Sequence, residues 1–118
     1  MRSYLYQQFE EATPRVVAGI RSVDFGIRFV REDIRDRYTD VDFEEAYKMI
    51  MRHLVASDDF KSLIGEQACR VQTLYFTDII IFIIPSTRHE AVFASFDYDE
   101  DFPVNQFVQQ ISETAPGE

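Results

Sequence analysis

The chain has one cysteine, Cys69, no tryptophan, four glycines and only two lysines, Lys48 and Lys61. A single cysteine excludes an internal disulfide and any metal site built from several thiolates. Four scattered glycines leave nothing from which to build a phosphate-cradling loop. Ser57, Ser62, Ser86 and Ser95 all lack a G-x-S-x-G context, and no HxH or HxxxH pair joins His53 to His89. The opening segment, Met1 to Glu10, lacks the apolar core of a signal peptide. No apolar run reaches the roughly 20 residues needed to cross a bilayer. These absences lead us to expect a cytoplasmic protein with no cofactor and no membrane insertion.

What is present is acidic. Twelve basic residues face 21 acidic ones, a formal charge of −9, in a chain of 118 residues with 46% hydrophobic content. That length suits one domain with a real core, supplied largely by eleven Phe and six Tyr. The charge opposes nucleic-acid binding, so no nucleic-acid partner is expected. Acid excess with scarce lysine is also what a cytoplasm of molar salt favours; an acidic protein of ordinary salt is the alternative.

The densest apolar stretch is Leu74-Tyr-Phe-Thr-Asp-Ile-Ile-Ile-Phe-Ile-Ile-Pro85. Its β-branched and aromatic residues favour pleated sheet. It reads as the two central strands of a buried sheet, folded back at Thr77-Asp78. Around it, Tyr4 to Ala12 reads as a first helix, stopped at Thr13-Pro14. Residues 14–21 are open between strand and helix. Phe25 to Arg31 is a strand with Phe25, Ile27 and Phe29 on one face, and Ser22 to Asp24 is the turn before it. Glu32 to Tyr38 is a charged connector. Thr39-Asp-Val-Asp42 has capping-box spacing and opens a helix running to about Val55, with Phe43, Ala46, Tyr47, Ile50, Met51 and Leu54 on one stripe. Ser57 caps a short second helix that Gly65 stops. Cys69 to Phe76 and Ala91 to Asp97 alternate as strands, and Ile79 to Ile84, apolar on both faces, is the most buried strand. Pro103 starts a last helix carrying Val104, Phe107, Val108 and Ile111.

This order, α-β-β-α-(α)-β-β-β-α, gives an α+β fold: a five-stranded antiparallel sheet with flanking helices. Residues 1–111 form one compact domain and 112–118 a flexible tail. The order resembles the roadblock/longin/profilin-like group. A second resemblance rests on Phe29-Val-Arg-Glu-Asp-Ile-Arg-Asp-Arg-Tyr-Thr-Asp40, Phe43-Glu-Glu45, Thr77-Asp-Ile-Ile-Ile-Phe-Ile-Ile-Pro85 and Ala94-Ser-Phe-Asp97. These are similar to segments of a family of small haloarchaeal proteins over roughly Phe25 to Ile111. That resemblance implies a halophilic cytoplasmic protein and transfers no catalytic residue.

Candidate chemistry is sparse. The cluster Asp97-Tyr-Asp-Glu-Asp101 offers Asp97, Asp99 and Asp101 to a hard cation, but EF-hand spacing fails and Pro103 follows. An acidic loop before a helix also suits the helix dipole. His53 and His89 read as solvated, and Cys69 as a small buried hydrophobe rather than a nucleophile. Arg28, Arg31, Arg35 and Arg37 are the only basic concentration, neutralised by interleaved Glu32, Asp33 and Asp36. The reading that follows is a non-enzymatic interaction or regulatory module, self-associating as a homodimer or bound to a protein partner. Its mechanism is presentation of a sheet edge or a helix face, with Arg28, Arg31, Arg35 and Tyr38 as interaction residues. The alternatives are a sensory domain holding a small apolar or aromatic ligand between sheet and helices, and a metal-dependent hydrolase using the acidic cluster.

Overall fold

A computed structural model describes residues 12–20, 25–85 and 91–114. Residues 4–11 of the expected first helix, the turn at Ser22 to Asp24, and Ser86 and His89 lie outside these residues; Ala12, its expected end, is in a turn. In chain order the elements are β1 (Val16–Ile20), β2 (Phe25–Val30), α1 (Glu32–Arg35), α2 (Asp40–Ile64), β3 (Gln72–Tyr75), β4 (Ile79–Pro85), β5 (Ala91–Asp97) and α3 (Val104–Thr114). The segment left open by the sequence is therefore strand, and the sheet has five strands, ordered β2-β1-β5-β4-β3 and antiparallel throughout.

Alternation along the strands divides the core in two. Val17, Ile80, Phe82, Ile84, Val92, Ala94 and Phe96 face one way and pack with Ile111, Phe107 and Val108 of α3. Phe107 meets the rings of Phe82 and Phe96 at 5.0 and 5.1 Å between centroids, within the range where tilted aromatic pairs attract. Ile20, Ile81, Ile83, Ala91 and Phe93 face the other way and pack with Tyr47, Ile50, Met51 and Leu54 of α2. Helices thus cover both faces. Burial on two sides is why β4 reads as a continuous apolar run.

Four expectations are corrected. The hairpin β3-β4 does fold back at residues 76–78, but β3 is an edge strand and β5 takes the centre. Phe29 does not share a face with Ile27: Phe29 pairs with Val17 and Ile27 with Ala18, so Arg28 is an extra residue in a β-bulge. One inserted residue moves Phe29 to the α3 side, where it packs. Finally, α2 is one helix of 25 residues with no break at Ser57. Its start is the expected capping box: the Asp42 N–H donates to Thr39 Oγ1 at 3.2 Å, and the Thr39 N–H donates to Asp42 Oδ2 at 2.8 Å. Its end is Gly65, in the left-handed region at φ 75°, with its N–H on the Lys61 carbonyl. The extra short helix is instead α1, inside the charged connector, anchored by buried Ile34. The last helix, α3, runs on to Thr114, past the expected start of the tail.

Candidate functional site

The two sheet edges are unequal. On the β2 edge the bulge at Arg28 breaks the regular row of backbone groups and adds a cation, both of which discourage pairing with another strand. The β3 edge has neither device. From Val71 to Thr77 there is no charge and no proline. The Phe76 N–H donates to the Ile79 carbonyl at 2.8 Å. By the alternation of an antiparallel ladder, Gln72 and Leu74 also turn their amides to β4, and Thr73 and Tyr75 turn theirs outward. Tyr75 and Phe76 are both more than half exposed.

Beside this edge lies the second half of α2. The Gln72 side-chain amide donates to the His53 carbonyl at 2.9 Å. A groove of about 430 Å³ between helix and strand is lined by His53, Ala56, Phe60, Ile64, Cys69 and Gln72, among others. Met49, Ala56, Phe60 and Leu63 recur at spacings of seven, four and three, and so form a second apolar stripe away from the core. Phe60 is 64% exposed and Leu63 81% exposed. The sequence hid this stripe because its residues fall on either side of Ser57, where a break was expected. His53 is exposed. Cys69 is half-buried and lies before β3 rather than in it, with its Sγ 3.7 Å from the Val71 carbonyl.

The connector and the acidic cluster meet at the other end of the sheet. Arg31 donates through Nη1 to Asp97 Oδ2 and through Nε to Asp33 Oδ1, each at 2.5 Å. Hydrogen bonding to Asp33, then to Asp97, raises the Arg31 pKa, and the same guanidinium holds the Asp33 carboxyl below its usual range. Arg15 Nε approaches Asp97 Oδ1 at 3.5 Å. Asp97 is therefore shared between two guanidiniums, with the shorter contacts to Arg31. Asp99 accepts the Asp101 N–H at 2.9 Å and closes a local turn. Among the described residues no group of three or more His, Cys, Asp or Glu is arranged to hold a metal ion. Arg35 donates to the Val30 carbonyl at 3.4 Å, and Arg28 is exposed on the bulge. Of the four expected interaction residues, the fold links Arg31 and Tyr38, through Asp97 and Arg15; the Tyr38 hydroxyl accepts from Arg15 Nη2 at 3.3 Å.

Above this network, between the first half of α2 and the sheet, is a cleft of about 560 Å³. Its floor is Val16, Ile79, Ile81, Phe93 and Ser95; Phe43 and Ala46 of α2 form its roof. Ala46 and Ser95 are too small to fill the gap between the layers, and the cleft is the result. Arg15, Arg37, Tyr38, Asp42 and Phe76, the last at the end of the β3 edge, complete it. Arg15 is 6% exposed, a buried charge that sequence reasoning missed. Its only trace in the sequence is a lone arginine before an apolar strand.

Among solved structures, MglB of Myxococcus xanthus is similar with a TM-score of 0.65 at 13% identity, over 91% of this chain and 84% of that one. An MglB structure with a tetrameric arrangement gives 0.67 at 14% identity, over 96% and 82%. The gliding protein MglB of Thermus thermophilus gives 0.64 at 13% identity, over 97% and 83%. The likeness is one of fold, and it places the sheet and its helices in the roadblock/longin-like fold. No curated protein matches the chain in sequence. The family model described as Domain of unknown function (DUF7522) matches residues 3–115.

Proposed function

The chain belongs to the DUF7522 family, whose description carries no activity, and we propose that it is a non-enzymatic interaction module that self-associates through β3 and the outward stripe of α2. The observation that carries this reading is a coincidence in space. The sheet edge without a bulge or charge shares a groove with exposed apolar residues of the helix, Phe60 and Ile64, and Leu63, 81% exposed, is their neighbour on the helix. An unprotected edge invites antiparallel pairing with a second copy, and an apolar helix face beside it adds area to the same contact. That an MglB structure of similar fold has a tetrameric arrangement supports self-association of such a domain. Among the described residues no helix is long and apolar enough to cross a membrane. The acid excess and the two lysines favour work in a salt-rich cytoplasm, which is the setting the haloarchaeal resemblance implies.

Light scattering in molar KCl tests this. The native chain is expected as a dimer or a larger closed assembly, and Leu63→Glu as a monomer with an unchanged circular-dichroism spectrum. Leu63 is too exposed for its replacement to disturb the core. A native chain that is monomeric at every concentration, or a Leu63→Glu variant of native mass, overturns the reading.

A further inference from the structure

The geometry points to a second site: the cleft between α2 and the sheet binds a small organic acid, a carboxylate on an aromatic or medium-chain apolar body. The first ground is Arg15. A guanidinium carries five N–H donors, and a buried one left short of acceptors is costly. Arg15 has only the Tyr38 hydroxyl at 3.3 Å and Asp97 at 3.5 Å, and its Nη1 has no partner among the described residues. Asp97 gives its shorter contacts to Arg31. A bidentate carboxylate is the acceptor this fork lacks among the described residues. The second ground is the cleft itself. Its 560 Å³ lies within the usual range for small-molecule sites, and its walls are Ile79, Ile81, Phe93 and Phe43, with a few polar groups at one end. The third is Arg37, also in the lining, whose guanidinium makes no hydrogen bond or contact ion pair among the described residues and acts only through space on the Asp33 carboxyl. The lining thus carries two arginines and one carboxylate, Asp42, while Asp97 reaches Arg15 only at 3.5 Å. The apolar walls disfavour a nucleotide or inorganic phosphate, for which water is the better solvent.

The test uses 4-phenylbutyrate as probe and its uncharged analogue 4-phenylbutanol as control, by calorimetric titration and thermal melting. Both the native chain and Leu63→Glu are titrated, so the result does not depend on self-association. The acid is expected to bind and to raise the melting temperature, and the alcohol to bind at least about 10-fold more weakly, the worth of one charged hydrogen-bonded contact. Arg15→Gln should lose at least about 10-fold for the same reason. Ala46→Trp should fill the cleft and abolish binding, and Arg35→Gln, outside the lining, should leave it unchanged. If Arg15→Gln fails to fold, the acid–alcohol pair and Ala46→Trp decide. Equal binding of acid and alcohol, or undiminished binding by Ala46→Trp, overturns the proposal. So does absence of binding to both chains.

Discussion

Thr73→Pro separates pairing at the β3 edge from the stability of the fold. The Thr73 amide points away from β4, because the neighbouring registers at Gln72, Leu74 and Phe76 hold the inward amides. Proline is tolerated on an edge strand where the lost N–H faced solvent, so the internal ladder keeps all its bonds. In a two-fold antiparallel pairing of β3 with its copy, each Thr73 amide donates across the junction. The variant removes both symmetry-related bonds, at a net cost of about 1 kcal/mol each. The proline rings also hold the strands apart. A loss of about 2 kcal/mol raises the dissociation constant about 30-fold. Sedimentation equilibrium over a dilution series reads this directly, with Thr73→Val as the control that keeps the amide and the β-branched side chain. Thr73→Val should associate as the native chain does, and Thr73→Pro should be monomeric where the native chain is not. A folded Thr73→Pro with native association refutes pairing through β3. An unfolded one refutes the assignment of the amide to the outward side.

Two further predictions concern the fold. Phe82 is fully buried among Phe96, Phe102 and Phe107, so Phe82→Ala should destabilise by about 3–5 kcal/mol in urea denaturation; a loss below about 1 kcal/mol would show a core that collapses around the gap. At the sheet end, Asp33 has a depressed pKa in the folded state, so its contribution is present above its unfolded value and lost as the pH falls through the lower, folded one. The gap in melting temperature between the native chain and Asp33→Asn should therefore be open at neutral pH and close below about pH 4, remaining small because the pair is solvated; a gap that persists undiminished in strong acid contradicts the Arg31 contact.

The elements were legible in the sequence wherever one local pattern decides. The runs at 79–85 and 91–97 are bounded strands by composition and alternation, and Thr39, Asp42 and Gly65 punctuate α2 through side chains and glycine conformation that act within a few residues. Ser57 misled because a capping residue is a local signal. Here it sits half-buried on the core-facing side of a helix whose hydrogen bonds continue past it. The bulge at Arg28 leaves no compositional mark, since the inserted residue is not a glycine, and only its partner strand reveals the shift. The cleft is less legible still. Arg15, Tyr38, Ile79 and Phe93 come from separate segments, and the property that opens the space is the smallness of Ala46 and Ser95, which in the sequence reads as nothing. The connector arginines drew attention by their number, yet the arginine left short of acceptors among the described residues stands alone just before β1.

The bulge in β2 also sets an upper limit on growth. A sheet with two receptive edges is a polymer unit, since each addition exposes a new edge like the one just used. This sheet has one receptive edge, and the other is interrupted where a newcomer would need an unbroken row of amides and carbonyls. Pairing through β3 consumes the receptive edge of both copies at once and leaves only interrupted ones outward. Chain termination is thus encoded in a single residue of register, and any assembly beyond a pair has to be built sideways, through helices.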